Sequence, residues 1–180
     1  YYPFTESGYE VLTGDTKFDG YVWGVTFSNE NGAYFNGAGI SGTDIHSYPY
    51  IKFQNASLNE MNINLDQEFT ISIKFKSTRA DLYQLLILTT NKGDALDTDF
   101  GPIFVDLHAD QPSIRTYVGG SGWGSYGYSG DTWHHYVFTK GSQFTSVYLD
   151  GVLVINKPTI EYNITYDEGA YFLLGRRPLD

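Results

Sequence analysis

The chain has 180 residues, 41% of them hydrophobic and 17% aromatic, and a formal net charge of −10. That length fits one domain spanning residues 1–180, with a core large enough to need no cross-links, and the absence of cysteine excludes disulfides. The acidic balance argues against nucleic acid or an anionic membrane as partner, since both require clustered Lys and Arg, and no apolar run is long enough for membrane insertion.

Residues 1–22 are turn-rich with no clear period, which predicts loops and strand fragments, including an N-terminal strand beside the C-terminal one. The chain starts at Tyr1 with neither an initiator Met nor a signal-like segment, as expected of a processed or excised piece of something longer. Tyr21–Phe27 predicts a strand with Trp23 on one face, and short strands follow at Ala33–Asn36 and Tyr50–Gln54. In Phe69–Lys76, Phe69, Ile71, Ile73 and Phe75 alternate with polar residues, so one face should be buried and the other wet. Leu82–Thr90 fits both a helical stripe and a buried strand. Ile103–His108 alternates again, with Ile103, Val105 and Leu107 inward, and a turn at Asp110-Gln111-Pro112 leads into a strand at Ser113–Val118. Gly119–Gly130, GGSGWGSYGYSG, reads as a loop. Trp133–Thr139 and Phe144–Leu149 are rich in aromatic and β-branched residues and predict two strands, with Val137 and Leu149 in the core. Apolar neighbours on both sides of Phe138 and Tyr148 predict that these strands are covered on two faces. Asp150-Gly151 predicts a type I′ hairpin into a third strand, because that turn needs positive φ at both central positions. Many short strands with no convincing helix give an all-β fold, a two-sheet antiparallel jelly-roll β-sandwich.

The order Trp133-His134-His135-Tyr136-Val137, a Gly-containing turn, then Val147-Tyr148-Leu149-Asp150-Gly151 resembles the hairpin of laminin-G-like domains in the concanavalin A-like lectin and glucanase superfamily. Gly32–Gly37 (GAYFNG) followed by Tyr50–Phe53 resembles the opening element of that family. Glu68–Lys76 resembles its central strand, and Tyr171–Arg176 its closing strand. The resemblance runs from about Gly20 to Arg177 and favours a strand at Leu82–Thr90. It implies a non-catalytic recognition module, extracellular or at the cell surface, that binds carbohydrate with calcium as candidate cofactor. The partner would be a glycan or a cell-surface protein. The alternatives are an adhesive or structural subunit that self-assembles and, below that, a glycoside hydrolase or its accessory module.

Trp123, Tyr126 and Tyr128 are the candidate ligand-binding residues. A sugar ring packs its C–H face on an aromatic ring, and amphipathic rings are also common at protein interfaces. The flanking glycines and serines offer little cover, so at least one ring should be solvent-accessible. The competing reading folds all three under the loop as a hydrophobic cluster. Asn91, Asp94, Asp97 and Asp99 are the candidate metal ligands, since calcium takes six to eight oxygens from flexible polar loops. The spacing is not that of an EF-hand. In the laminin-G pattern an acidic residue directly precedes the strand at Ile103–His108, and Pro102 holds that place here, so Asp97 or Asp99 would have to substitute. A plain solvated loop is the other reading. Asp15 and Asp19 are a weaker pair. The Glu-x-Asp-x-x-Glu arrangement of the superfamily's glucanases is absent: Asp66 and Glu68 are two apart but lie at a strand entrance, and Asp106 shares a strand face with His108, which reads as a hydrogen-bonded surface or rim residue. His134 and His135 read as packing residues. No Cys, serine elbow or zinc spacing supports hydrolysis.

Overall fold

The computed structural model describes residues 20–23, 25–28, 32–35, 50–53, 68–77, 84–90, 100–108, 112–118, 121–159 and 172–175. The described residues are all-β: β1 (Gly20–Trp23), β2 (Val25–Ser28), β3 (Gly32–Phe35), β4 (Tyr50–Phe53), β5 (Phe69–Phe75), β6 (Gln84–Thr90), β7 (Phe100–His108), β8 (Ser113–Val118), β9 (Ser121–Gly127), β10 (His134–Lys140), β11 (Phe144–Leu149), β12 (Val152–Pro158) and β13 (Phe172–Leu174). They form a large sheet in the order β1-β4-β13-β6-β7-β8-β9, a small sheet in the order β12-β11-β10-β5, and the separate hairpin β2-β3. The expected N-terminal strand and the loop Asn91–Asp99 lie outside the described residues.

Every strand pairing among the described residues is antiparallel. The two larger sheets pack face to face over one apolar core, with Ile87, Ile103, Val105 and Ile114 from the large sheet meeting Tyr136, Phe138, Val147 and Ile155 from the small one. This is the predicted sandwich, and the strand reading of Leu82–Thr90 holds as β6. Alternation decides which residues face inward. In β10, His134, Tyr136, Phe138 and Lys140 are buried while His135, Val137 and Thr139 are half-buried, so Val137 lies on the outer face and not in the core. In β5, which is an edge strand among the described residues, the inward residues Phe69, Ile71 and Ile73 are only half-buried.

Three further elements differ from the sequence prediction. The run Tyr21–Phe27 forms two strands and not one, β1 in the large sheet and β2 in the small hairpin. The outer face of the small sheet is partly open to solvent, with Phe144 and Leu153 exposed, so β10 and β11 are fully covered on one side only. It is the large sheet that is covered on both faces: Phe104 and Leu173 form a second cluster with Tyr50 on its outer side, against Tyr117. The Asp150-Gly151 turn is as predicted, with φ of 52° and 79°.

Candidate functional site

The predicted loop Gly119–Gly130 is for most of its length the edge strand β9, paired with β8. Thr116 faces Gly124 while the next residue, Tyr117, faces Gly122, so Trp123 is the extra residue of a β-bulge. A bulge re-aims a side chain that simple alternation would place elsewhere. Trp123 accordingly joins the core at 6% exposure, its ring covered on the inner side by Lys157, whose Nζ sits 5.5 Å from the ring centroid. It is a packed residue, which corrects the expectation of an exposed stacking platform. Gly124 serves close packing, not flexibility. A Cβ on Gly124 would lie 3.0 Å from the Tyr126 ring and 3.2 Å from Ile155.

Tyr126 and Tyr128 are half-buried and pack against the core. Tyr128 stands edge-on to both Phe75 and His134, with ring centroids 5.5 and 5.3 Å away. Burial pushes its phenol up from the ordinary value, a side-chain hydrogen bond with Ser77 offsetting part of the effect. The three rings do not share one exposed surface. Tyr126 and Tyr128 keep part of their surface accessible to solvent, whereas Trp123 does not.

Among the residues whose burial is described, the exposed tryptophan is Trp133, at 52%, in the connection between β9 and β10. That connection is tied down along its length. The backbone N–H of Tyr128 donates to the Pro112 carbonyl at 2.8 Å, and that of Asp131 donates to the Ser77 carbonyl at 2.9 Å. Asp131 adopts a left-handed φ of 60°, and its carboxylate pairs with Lys76 at 3.0 Å. Thr132 Oγ1 donates to the Ser129 carbonyl at 3.0 Å.

His134 closes this rim. Its Nδ1 lies 2.7 Å from an Asp150 carboxylate oxygen, and its Nε2 lies 2.8 Å from the Ser129 carbonyl and 2.9 Å from Thr132 Oγ1. A carboxylate and a carbonyl both accept, so a ring that satisfies both donates from both nitrogens and is an imidazolium. Burial alone would push His134 down, but Asp150 and the Ser129 carbonyl together outweigh it and hold the group above its ordinary value. Asp150 is held below the ordinary carboxylate value by the hydrogen bond from His134 and then by the backbone N–H of His135, which donates to its other oxygen at 2.8 Å. The β11–β12 turn is thereby locked to the strand that begins one residue after Trp133. Past that turn, Val152 and Leu153 are 64% and 48% exposed. The rim thus carries an exposed indole on a braced backbone, exposed Ser129 and Thr132, two carboxylates, and two exposed aliphatic residues. The sequence singled out Trp133 as the head of a strand, and only its exposure makes it a site candidate.

On the outer face of the large sheet, Asp106 and Arg115 are directly opposed on β7 and β8. Arg115 Nε donates to Asp106 Oδ1 at 2.8 Å and its Nη2 to Oδ2, so both oxygens of a fully buried carboxylate are engaged. No group of three or more metal-ligating His, Asp or Glu side chains occurs among the described residues.

Two antiparallel sheets closed over one core, with a family hairpin at the rim, define a lectin-type β-sandwich. The chain belongs to the concanavalin A-like lectin/glucanases superfamily, a laminin-G-like family model of which matches residues 46–180. No curated protein matches the chain by sequence. Among solved structures, the Trypanosoma rangeli sialidase in complex with sialic acid is 15% identical, with 99% of this chain and 27% of that one covered and a TM-score of 0.66. The binding domain of botulinum neurotoxin DC in complex with rat synaptotagmin II is 12% identical, covering 76% of this chain and 34% of that one at a TM-score of 0.53. Botulinum neurotoxin type C, whose cell entry depends upon interaction with two ganglioside molecules, is 12% identical, covering 78% and 33% at 0.53. At these identities the likeness is one of fold, and the chain spans about a quarter to a third of those chains.

Proposed function

We propose that the chain is a non-catalytic recognition module, extracellular or at the cell surface, that binds carbohydrate on the rim carrying Trp133. The observation that carries this reading is the exposure of that indole on a backbone held by His134, Asp150, Ser77 and Pro112. Burying a large apolar side chain is worth roughly 1.5–3 kcal/mol, so a rigidly presented, unburied one points to a partner surface. A sugar's C–H face would stack on the ring, and its hydroxyls would meet Ser129, Thr132 and the two carboxylates. A fixed platform of this kind lowers the ordering cost of binding. The superfamily membership supports the reading, as do structural neighbours described with a ganglioside or sialic acid. Calcium at Asn91, Asp94, Asp97 and Asp99 is proposed as the accessory ion. A protein partner is the second reading, favoured by Val152 and Leu153 beside the same rim and by a neighbour in complex with synaptotagmin.

A glycan array probed with the wild-type chain and with Trp133→Ala, each with and without chelator, tests the proposal. It expects sugar signals that Trp133→Ala removes. Silence across the array, or signals that Trp133→Ala leaves intact, would discard it.

A further inference from the structure

The inner face of the small sheet is apolar along most of its length, but its far end changes character. The register places Phe69 opposite Lys140, Lys140 opposite Thr145, and Thr145 opposite Lys157, so the four form one cross-strand row over β5, β10, β11 and β12. Directly opposed residues share a face, and this row continues the inward series Phe138, Val147 and Ile155. Two lysines therefore point between the sheets with one threonine between them. Their Cα atoms are two strands apart, about 10 Å, which lets two long side chains converge on one small group.

Lys140 is 6% exposed and has no hydrogen-bond or ion-pair partner among the described residues. A surface lysine normally buries its stem and keeps its ammonium in water. At this exposure most of the ammonium is covered as well, and an ammonium taken largely out of water without a counter-charge is costly. Lys157 is half-buried, rests against the Trp123 ring, and has no carboxylate partner among the described residues either. This is against the trend of a chain with 21 Asp and Glu to 11 Lys and Arg. Glu68, next to Phe69, is exposed and pairs with neither lysine. The hydroxyls are already committed: Thr159 Oγ1 donates to the Gly141 carbonyl at 2.8 Å and lies 3.1 Å from Thr145 Oγ1. The two ammonium groups are what remains to meet a ligand; β12 is an edge strand among the described residues, and its Lys157, only half-buried, brings the row to the surface.

We propose that the Lys140–Thr145–Lys157 row is an oxyanion site, taking a sulfate, phosphate or carboxylate group. It lies at the opposite end of β10 from Trp133, roughly 20 Å away, and does not depend on the rim binding sugar. The ligand's negative charge supplies what the row lacks, and Trp123 beside Lys157 supplies an optical reporter.

The test is calorimetric and fluorescence titration of the chain with sodium sulfate, sodium phosphate and glucuronate, at ionic strength held constant with sodium chloride. Saturable binding of at least one anion per chain is expected. Lys157→Gln should weaken it about tenfold or more, the loss expected of one charge-assisted hydrogen bond, and Lys140→Met should abolish it. Lys157 is only half-buried, so its variant keeps the test meaningful if Lys140→Met folds poorly. A sulfated disaccharide compared with its unsulfated parent separates a glycan-borne oxyanion from a free ion. No binding beyond chloride, or binding that both variants leave unchanged, would overturn the proposal.

Discussion

Tyr136 and Thr116 join the two sheets through a single buried hydroxyl pair, which makes the facing of β10 on β8 measurable. The oxygens are 3.0 Å apart, and both residues are buried. Desolvation pushes the Tyr136 phenol far above its ordinary value, against a smaller opposing effect of the Thr116 hydrogen bond, so it stays a neutral hydroxyl and either oxygen can be the donor. Tyr136→Phe removes one hydroxyl and strands the other. A buried polar group left unsatisfied costs about 1–3 kcal/mol, and Thr116→Val should cost a similar amount for the converse reason. Independent effects would sum to about 2–6 kcal/mol. The double variant instead removes both polar groups while nearly preserving shape, so its cost should return to about that of one single variant or less. The resulting coupling energy should fall at about 1–3 kcal/mol, within the range for directly contacting residues. Urea unfolding of the four proteins gives the cycle, provided that the slope is unchanged among them. Strictly additive single costs would mean that the hydroxyls do not meet and that β10 does not face β8.

Melting temperature against pH should peak in the mildly acidic range. The His134 contribution is complete below its unfolded value of about 6.5 and is lost as pH rises through its raised folded value, whereas that of Asp150 is present above about 3.8 and is lost as pH falls through its lowered one. Asp150→Asn should flatten both arms, and an unaltered profile would show that the pair contributes nothing; Tyr128, edge-on to His134, and His135, whose backbone donates to Asp150, are other titratable residues beside it. For calcium at Asn91–Asp99, a hundredfold excess over the dissociation constant should add about 2.7 kcal/mol of stability, which Asp97→Asn with Asp99→Asn should abolish. A melting curve indifferent to calcium and chelator would dispose of that site.

The fold was legible where local chemistry dictates it. Period-two alternation in Phe69–Phe75 reports a face directly, and Asp150-Gly151 reports a turn because few residue pairs accept its backbone angles. The site was less legible. Gly119–Gly130 carries the composition of a flexible loop, yet Gly124 is there because Tyr126 and Ile155 occupy the space of a side chain. The inward turn of Trp123 follows from a bulge set by its pairing with β8, which no single segment encodes. Trp133 and Trp123 are locally similar, each among small polar residues. Their opposite fates depend on what the other sheet places nearby, Lys157 and the core for one and solvent for the other. Lys140 is likewise an ordinary charged residue at a strand end until register puts it on the inner face.

The central claim, recognition at the Trp133 rim, is tested most directly by following the indole N–H resonances of the three tryptophans while a sugar identified on the array is titrated in. Trp133→Phe assigns its signal by deletion. The account predicts that the Trp133 resonance shifts saturably while that of the buried Trp123 stays in place. A bound sugar that leaves Trp133 unmoved would contradict it.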